Sequence, residues 1–190
     1  MNFNKLKSSI PTIFVFALIF ILFFSSNTQA FDERIQANIQ RGRTQALDNF
    51  MDSVTHLGDG LITGGIALSI TDSQAREHAW KSQLVSSLAT TFLKLSIGRE
   101  RPSSSNLQSN NFKPFQLNSS YHSMPSGHTS AAFALAASIS ENYPEYRGVL
   151  YFLATTVGFS RIYRNNHWTS DVLVGAGVGY LSARFVTYHW

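Results

Sequence analysis

The stretch Ser160-Arg161-Ile162-Tyr163-Arg164-Asn165-Asn166-His167-Trp168-Thr169-Ser170-Asp171 places a histidine and an aspartate four positions apart. On a helix, that spacing lets a carboxylate accept the proton of one ring nitrogen and leaves the other free as a base or nucleophile. Taken alone, a capped helix with an exposed histidine is the simpler reading. A second cluster, Met124-Pro125-Ser126-Gly127-His128-Thr129-Ser130, precedes an Ala-rich apolar run. Ser126 could cap a helix through its hydroxyl. Gly127 would let the backbone approach a ligand whose charge suits the N–H groups of a helix start. His128 would stand at the same mouth, able to hand a proton to a departing group. The third cluster runs from Lys94 to Pro102, with Lys94 and Arg101 seven residues apart. Two helical turns would set both cations on one face, although the basic end of a helix explains them as well. Arg99 and Glu100 between them read as solvated or paired with each other.

Together the clusters offer the cations Lys94, Arg101 and Arg161, a helix mouth at Ser126 and Gly127, one orientable histidine, His167, and a second, His128. Neither HExxH nor a paired-Asp metal pattern accompanies them. The set suits a tetrahedral dianion bound without a metal, and no cofactor is expected.

The elements that must hold these groups read as helices. Apolar residues between 32 and 57 recur near helical spacing, and 61–70 and 77–97 follow, the last closed by Gly98. A Ser/Asn-rich loop fills 102–124. Further helices are expected from Ser126 to Ser140, from Tyr146 to Phe159 and from Ser170 to Tyr188. Sustained period-two alternation is missing, so the fold class is all-α, a compact bundle of about five to seven helices. The 190 residues suit one domain plus a leader. With 44% hydrophobic and 14% charged residues, the chain is not of disordered composition, and the lack of cysteine excludes disulfides and thiolate chemistry.

Residues 1–30 read as a secretory signal: a basic start with Lys5 and Lys7, an apolar run, then a small polar segment ending at Ala30. An uncleaved anchor is the alternative. The remaining domain, 31–190, carries 13 basic and 11 acidic residues once those two lysines are set apart from the 15. That balance, without a Lys/Arg-rich run, gives no ground for a nucleic-acid partner. The uncharged stretches 60–71, 129–140, 148–160 and 172–183 are each 12 or 13 residues, the length of buried core helices rather than spans. Their Gly, Ala, Ser and Thr suit close helix packing. An exported, periplasmic domain is expected, with an intramembrane bundle as the second reading. Oligomeric state is not legible.

Lys94-x6-Arg101-Pro102, Pro125-Ser126-Gly127-His128 and Ser160-Arg161-x5-His167-x3-Asp171, in that order, resemble the three-part signature of the type 2 phosphatidic acid phosphatase (PAP2) family. Class A acid phosphatases and vanadium haloperoxidases belong to the same superfamily. After His167 the chain reads Trp168-Thr169-Ser170-Asp171, without the proline common before Ser-Asp, which is closer to the acid phosphatase and haloperoxidase style. The resemblance implies that His167 attacks phosphorus and forms a phosphohistidine. Asp171 would steady its ring, and His128 would protonate the leaving oxygen and then help activate water. Lys94, Arg101 and Arg161, with Ser126 and the Gly127 amide, would bind the phosphoryl oxygens. The implied activity is metal-independent hydrolysis of phosphomonoesters or pyrophosphates, on a phosphorylated small molecule or a lipid. An integral inner-membrane lipid phosphatase is the alternative, and a haloperoxidase in which His167 binds vanadium is a third reading.

Overall fold

The computed structural model describes residues 26–190; the leader up to residue 25 lies outside the described residues. Among the described residues there are seven α-helices and no named strand, in accord with the all-α expectation. They are α1 (Ser26–Arg41), α2 (Gln45–His56), α3 (Gly60–Ser69), α4 (Ser73–Ile97), α5 (Gly127–Asn142), α6 (Arg147–Tyr163) and α7 (Thr169–His189). Short 3-10 turns at Ser119–Tyr121 and Pro144–Tyr146 punctuate the connections.

Local chemistry sets the boundaries. The single helix expected over 32–57 is two, because Gly42 interrupts it and Thr44 caps α2 by accepting the Leu47 N–H. Asp59 starts α3 by accepting from Leu61 N at 2.8 Å. Asp72 does the same for α4 through Ala75 N. Gly98 stops α4 in the left-handed region, at φ 59°, and sends its N–H back to the Lys94 carbonyl. A Cβ there would lie 1.9 Å from the Lys113 carbonyl oxygen, so this position requires glycine.

α5 is the central helix, packed against α4, α6 and α7. Its buried face is small: Ala131, Ala132, Ala134, Ala136, Ala137, Ser130 and Ser138. α7 meets it through Gly175 and Gly179, where an added Cβ would approach the Ser126 and Ser130 carbonyl oxygens to 2.6 and 2.2 Å. Hydroxyls join α4 to α5, with Ser86 and Ser130 Oγ at 2.6 Å and Thr90 donating to Ser130.

This close packing leaves the apolar stretches, expected as core helices rather than spans, only partly buried. Small residues occupy the interfaces, so the large ones turn outward: Leu61 is 88% exposed, Phe92 69% and Phe152 68%. No phenylalanine among the described residues is fully buried, and Phe133 is partly buried against the core. Among the described residues no helix is long and apolar enough to cross a membrane.

Helix order brings the three clusters together. Lys94 lies in the last turn of α4, Gly127 begins α5, Arg161 lies in the last turn of α6, and Thr169 begins α7. These helices alternate in direction, so their signature-bearing ends gather at one end of the bundle.

Candidate active site

His167 and Asp171 do not share a regular helix. His167 lies before α7, Trp168 is the N-cap residue, and Asp171 is the third helical residue. From there Asp171 Oδ2 reaches back to accept from Trp168 N at 2.9 Å. Nδ1 of His167 stands 3.7 Å from the same oxygen, a charge contact longer than a hydrogen bond. Nδ1 has no hydrogen-bond partner there. The other partners of Asp171 explain the distance: Ser123 Oγ donates to Oδ2 at 2.5 Å, and Arg99 Nη1 donates to Oδ1 at 2.7 Å. Both site residues are buried.

Burial alone would raise the Asp171 pKa. The Arg99 guanidinium, His167 and the Ser123 hydroxyl overcome that penalty and hold it below the usual carboxylate range. His167 is pushed down to about 3, first by burial and then by Lys94 and Arg101, with Asp171 opposing. The ring is thus neutral at ordinary pH, as a nucleophile requires.

The cations converge as expected, but by another route. α4 ends at Ile97, so Lys94 and Arg101 are not two turns of one helix. The loop folds back, and both side chains donate to the His122 carbonyl, Lys94 at 2.6 Å and Arg101 at 3.4 Å. Arg101 also reaches the Ser119 and Asn166 carbonyls. Arg161 donates from Nη1 to Thr55 Oγ1 at 2.5 Å, and its buried Nε is without a partner. Burial, then the Arg101 charge, lowers the Lys94 pKa to about 7. Burial, then Arg101 and Arg164, lowers that of Arg161 to about 10.

Ser126 is the N-cap of α5, yet its hydroxyl makes no cap bond; it accepts from Thr129 Oγ1 at 2.8 Å. Its N–H donates to the Asp171 carbonyl, tying the starts of α5 and α7 together. Next to it, a cavity of about 210 Å³ is lined by Gly58, Thr90, Lys94, Gly127 and His128. His128 is lowered to about 4 by burial and then by Arg161. Among the described residues no group of three His, Asp or Glu side chains is placed to hold a metal ion.

Every signature residue named from the sequence is therefore at this end of the bundle, and the pKa couplings join His167 to Lys94 and Arg101, and His128 to Arg161. Sequence reading missed the supports. Arg99 is neither solvated nor paired with Glu100; it is 2% exposed and bridges Asp32 and Asp171. Glu100 instead accepts from Asn111. Ser123 and Thr55 also come from distant chain segments and carry no spacing signal.

A family model described as "PAP2 superfamily" matches residues 81–190. The lipid A 1-phosphatase of Porphyromonas gingivalis is 36% identical over 120 residues, which is 57% of this chain and 24% of that protein. The lipid A 1-phosphatase of Rhizobium etli is 33% identical over 103 residues, 54% of this chain and 44% of that protein. The chain thus spans less than half the length of these curated relatives. Among solved structures, Aquifex aeolicus LpxE superposes with a TM-score of 0.65 at 23% identity, covering 82% of this chain and 94% of that one. A transmembrane PAP2 type phosphatidylglycerolphosphate phosphatase from Bacillus subtilis gives 0.69 at 24% identity, covering 94% of each. At these identities the two structures speak for the fold.

Proposed function

Since the chain belongs to the PAP2 superfamily, we propose that it is a metal-independent phosphatase acting on a lipid-borne phosphomonoester or pyrophosphate through a phosphohistidine at His167. The observation that carries this reading is a buried, neutral imidazole set against an ionised carboxylate, among three cations that have no carboxylate of their own. Phosphoryl transfer depends mainly on positioning and on stabilising charge at the equatorial oxygens. Lys94, Arg101 and Arg161 supply that charge, and the Ser126 hydroxyl and Gly127 N–H complete the cradle.

With Nδ1 turned to Asp171, Nε2 of His167 attacks phosphorus as the bond to the leaving oxygen breaks. His128 gives its proton to that oxygen. It then takes a proton from water as the water oxygen bonds to phosphorus and the phosphorus–nitrogen bond breaks, releasing phosphate and restoring His167. His128 is neutral near pH 7 when the site holds only cations. A phosphate dianion beside it adds negative charge, which favours the protonated ring and raises its pKa. Substrate binding thus arms the acid.

The lipid assignment draws on the lipid A 1-phosphatase relatives and on the outward-facing Leu61, Leu88, Phe92, Leu117 and Phe152. Large apolar side chains exposed in this way fit contact with a bilayer. On this reading the protein is membrane-associated and exported, with its site toward the periplasm and residues 1–30 as the signal.

Purified protein and its His167→Ala variant, assayed in EDTA against lipid and soluble phosphates side by side, test this. Wild type should release phosphate in EDTA, most rapidly from a lipid phosphate, and the variant should lose at least about 10⁴-fold. Turnover by His167→Ala at the wild-type rate, or loss of wild-type activity in EDTA, overturns the reading.

A further inference from the structure

A second carboxylate lies behind Asp171. Asp32, on α1, is fully buried. Its Oδ2 accepts from Arg99 Nη2 at 2.8 Å, and its Oδ1 accepts from the Ser170 N–H at 2.9 Å. The Ser170 hydroxyl donates to Asp32 and accepts from Arg99 Nη1 at 2.7 Å. Arg99 is held on every side: Nε on the Ser109 carbonyl, Nη1 on Asp171, Nη2 on Asp32, and its plane near the Phe112 and Trp168 rings.

Charge counting shows what this arrangement does. One guanidinium facing Asp171 alone would neutralise it and leave little charge for the histidine. Burial raises the Asp32 pKa, and the Arg99 charge and the Ser170 bonds oppose that; with both carboxyls ionised, two carboxylates sharing one guanidinium retain one negative charge, and Asp171 is the member that faces His167. Ser170 and Asp171 are consecutive residues in the first turn of α7, so fixing the backbone of one fixes the other. α1 has anchors besides Asp32, since Gln36 donates to the Ile162 carbonyl and Gln40 to the Tyr163 carbonyl. The ion pair is therefore not the only means of docking that helix.

We propose that Asp32 is a positioning residue for the reaction: by sharing Arg99 and clamping Ser170, it orients Asp171 and leaves its charge available to the imidazolium that forms when His167 attacks. This rests on the phosphohistidine reading above. The charged groups that act on His167 are Lys94 from α4, Arg101 from the loop and Asp171 from α7, with Arg99 and then Asp32 behind Asp171. Removing one negative charge from this set disfavours the imidazolium, so the His167 pKa falls and the ring becomes a weaker nucleophile.

The experiment compares full-length wild type, Asp32→Asn, Ser170→Ala and His167→Ala on the phosphate ester that wild type hydrolyses fastest. It reads kcat, KM, the kcat–pH profile and thermal unfolding. Asp32→Asn should lower kcat about tenfold or more with KM within about twofold, and its acid limb should move to lower pH. Ser170→Ala, which keeps the charge and the N–H bond to Asp32 but loses the hydroxyl bonds to Asp32 and Arg99, should lower kcat about threefold with the limb in place. A folded Asp32→Asn with wild-type kcat and pH profile, changed only in melting temperature, overturns the proposal. Should Asp32→Asn not fold, Ser170→Ala decides, and wild-type kcat there overturns it. His167→Ala separates the two levels: if it remains active, the phosphohistidine reading itself is lost.

Discussion

Beneath His167, each carboxylate oxygen of Asp171 and Asp32 has a donor, and Arg99 is matched by two acids. At the rim, Lys94 and Arg101 are held by backbone carbonyls and Arg161 by a threonine hydroxyl. Carbonyl and hydroxyl oxygens fix a cation in place without cancelling its charge. The floor's hydrogen bonds are thus complete, whereas the rim is left to be completed by an incoming anion. The pKa directions record the same contrast: Arg99 is raised, because its two acids outweigh the effect of burial, while Lys94, Arg101 and Arg161 are all lowered, burial being the largest cause. At Arg99 and Asp171 stability and function therefore coincide, whereas at the rim, and at Asp32, whose pKa burial raises, they oppose each other.

The strongest way to break this comparison is to remove the floor's charge and keep its shape. Asp171→Asn should lower kcat by about 10³–10⁴-fold, the scale seen when the carboxylate that orients a catalytic histidine becomes an amide. Its melting temperature should fall as well, because Arg99 loses one of its two acids. Steady-state kinetics and calorimetry on one preparation check both. A rise in melting temperature would mean that the floor is as strained as the rim.

Lys94→Met should do the opposite to stability. Removing one phosphate-binding cation should reduce kcat/KM by about 10²–10³-fold. The empty protein should melt higher, by about 2–4 °C for each kcal/mol of relieved burial. The sign follows from the lowered pKa. Between about 7 and the ordinary lysine value, the unfolded chain binds more protons than the folded one, so wild-type stability rises with pH across that window. Below about 7 the penalty is present in full. In Lys94→Met this part of the pH dependence should vanish. The same titration should make the wild-type KM climb above about pH 7, as Lys94 loses its charge in the free enzyme.

Sequence reading reached the rim and the reacting pair because they lie in short, ordered motifs: Lys94 to Arg101, Ser126 to His128, Arg161 to Asp171. Helix existence was equally legible, since Gly98 and the small-residue runs leave local marks. The floor was not. Asp32 is far from every motif, Ser123 sits just outside the second, and Arg99, inside the first, reads as exposed just beyond a helix-stopping glycine until the fold covers it. The direction of the large apolar residues is not legible either, for a related reason. Run length tells how much apolar surface exists, but which face packs depends on where Gly175 and Gly179 let backbones meet.

That meeting supplies the smallest of the expected effects, and it tests whether the floor and rim depend on one shared spacing. Gly179 lies on the face of α7 that touches α5, one turn beyond Gly175 and away from the reacting groups. An alanine there would put its Cβ 2.2 Å from the Ser130 carbonyl oxygen and 2.9 Å from Ala134 N. Both are backbone atoms, so the helices must separate rather than a side chain turn aside. Overpacking of this kind costs about 1–3 kcal/mol. Because the Ser126 N–H to Asp171 carbonyl bond joins the same two helices at their starts, the separation should reach the site only weakly. Gly179→Ala should therefore lower the melting temperature by several degrees while kcat changes by less than about threefold, whereas Gly175→Ala, whose Cβ would meet Ser126 itself at 2.6 Å, should lose activity as well. Equal kinetic losses in the two variants would mean that floor and rim move together as one rigid unit, and that the division drawn between them is one of charge alone.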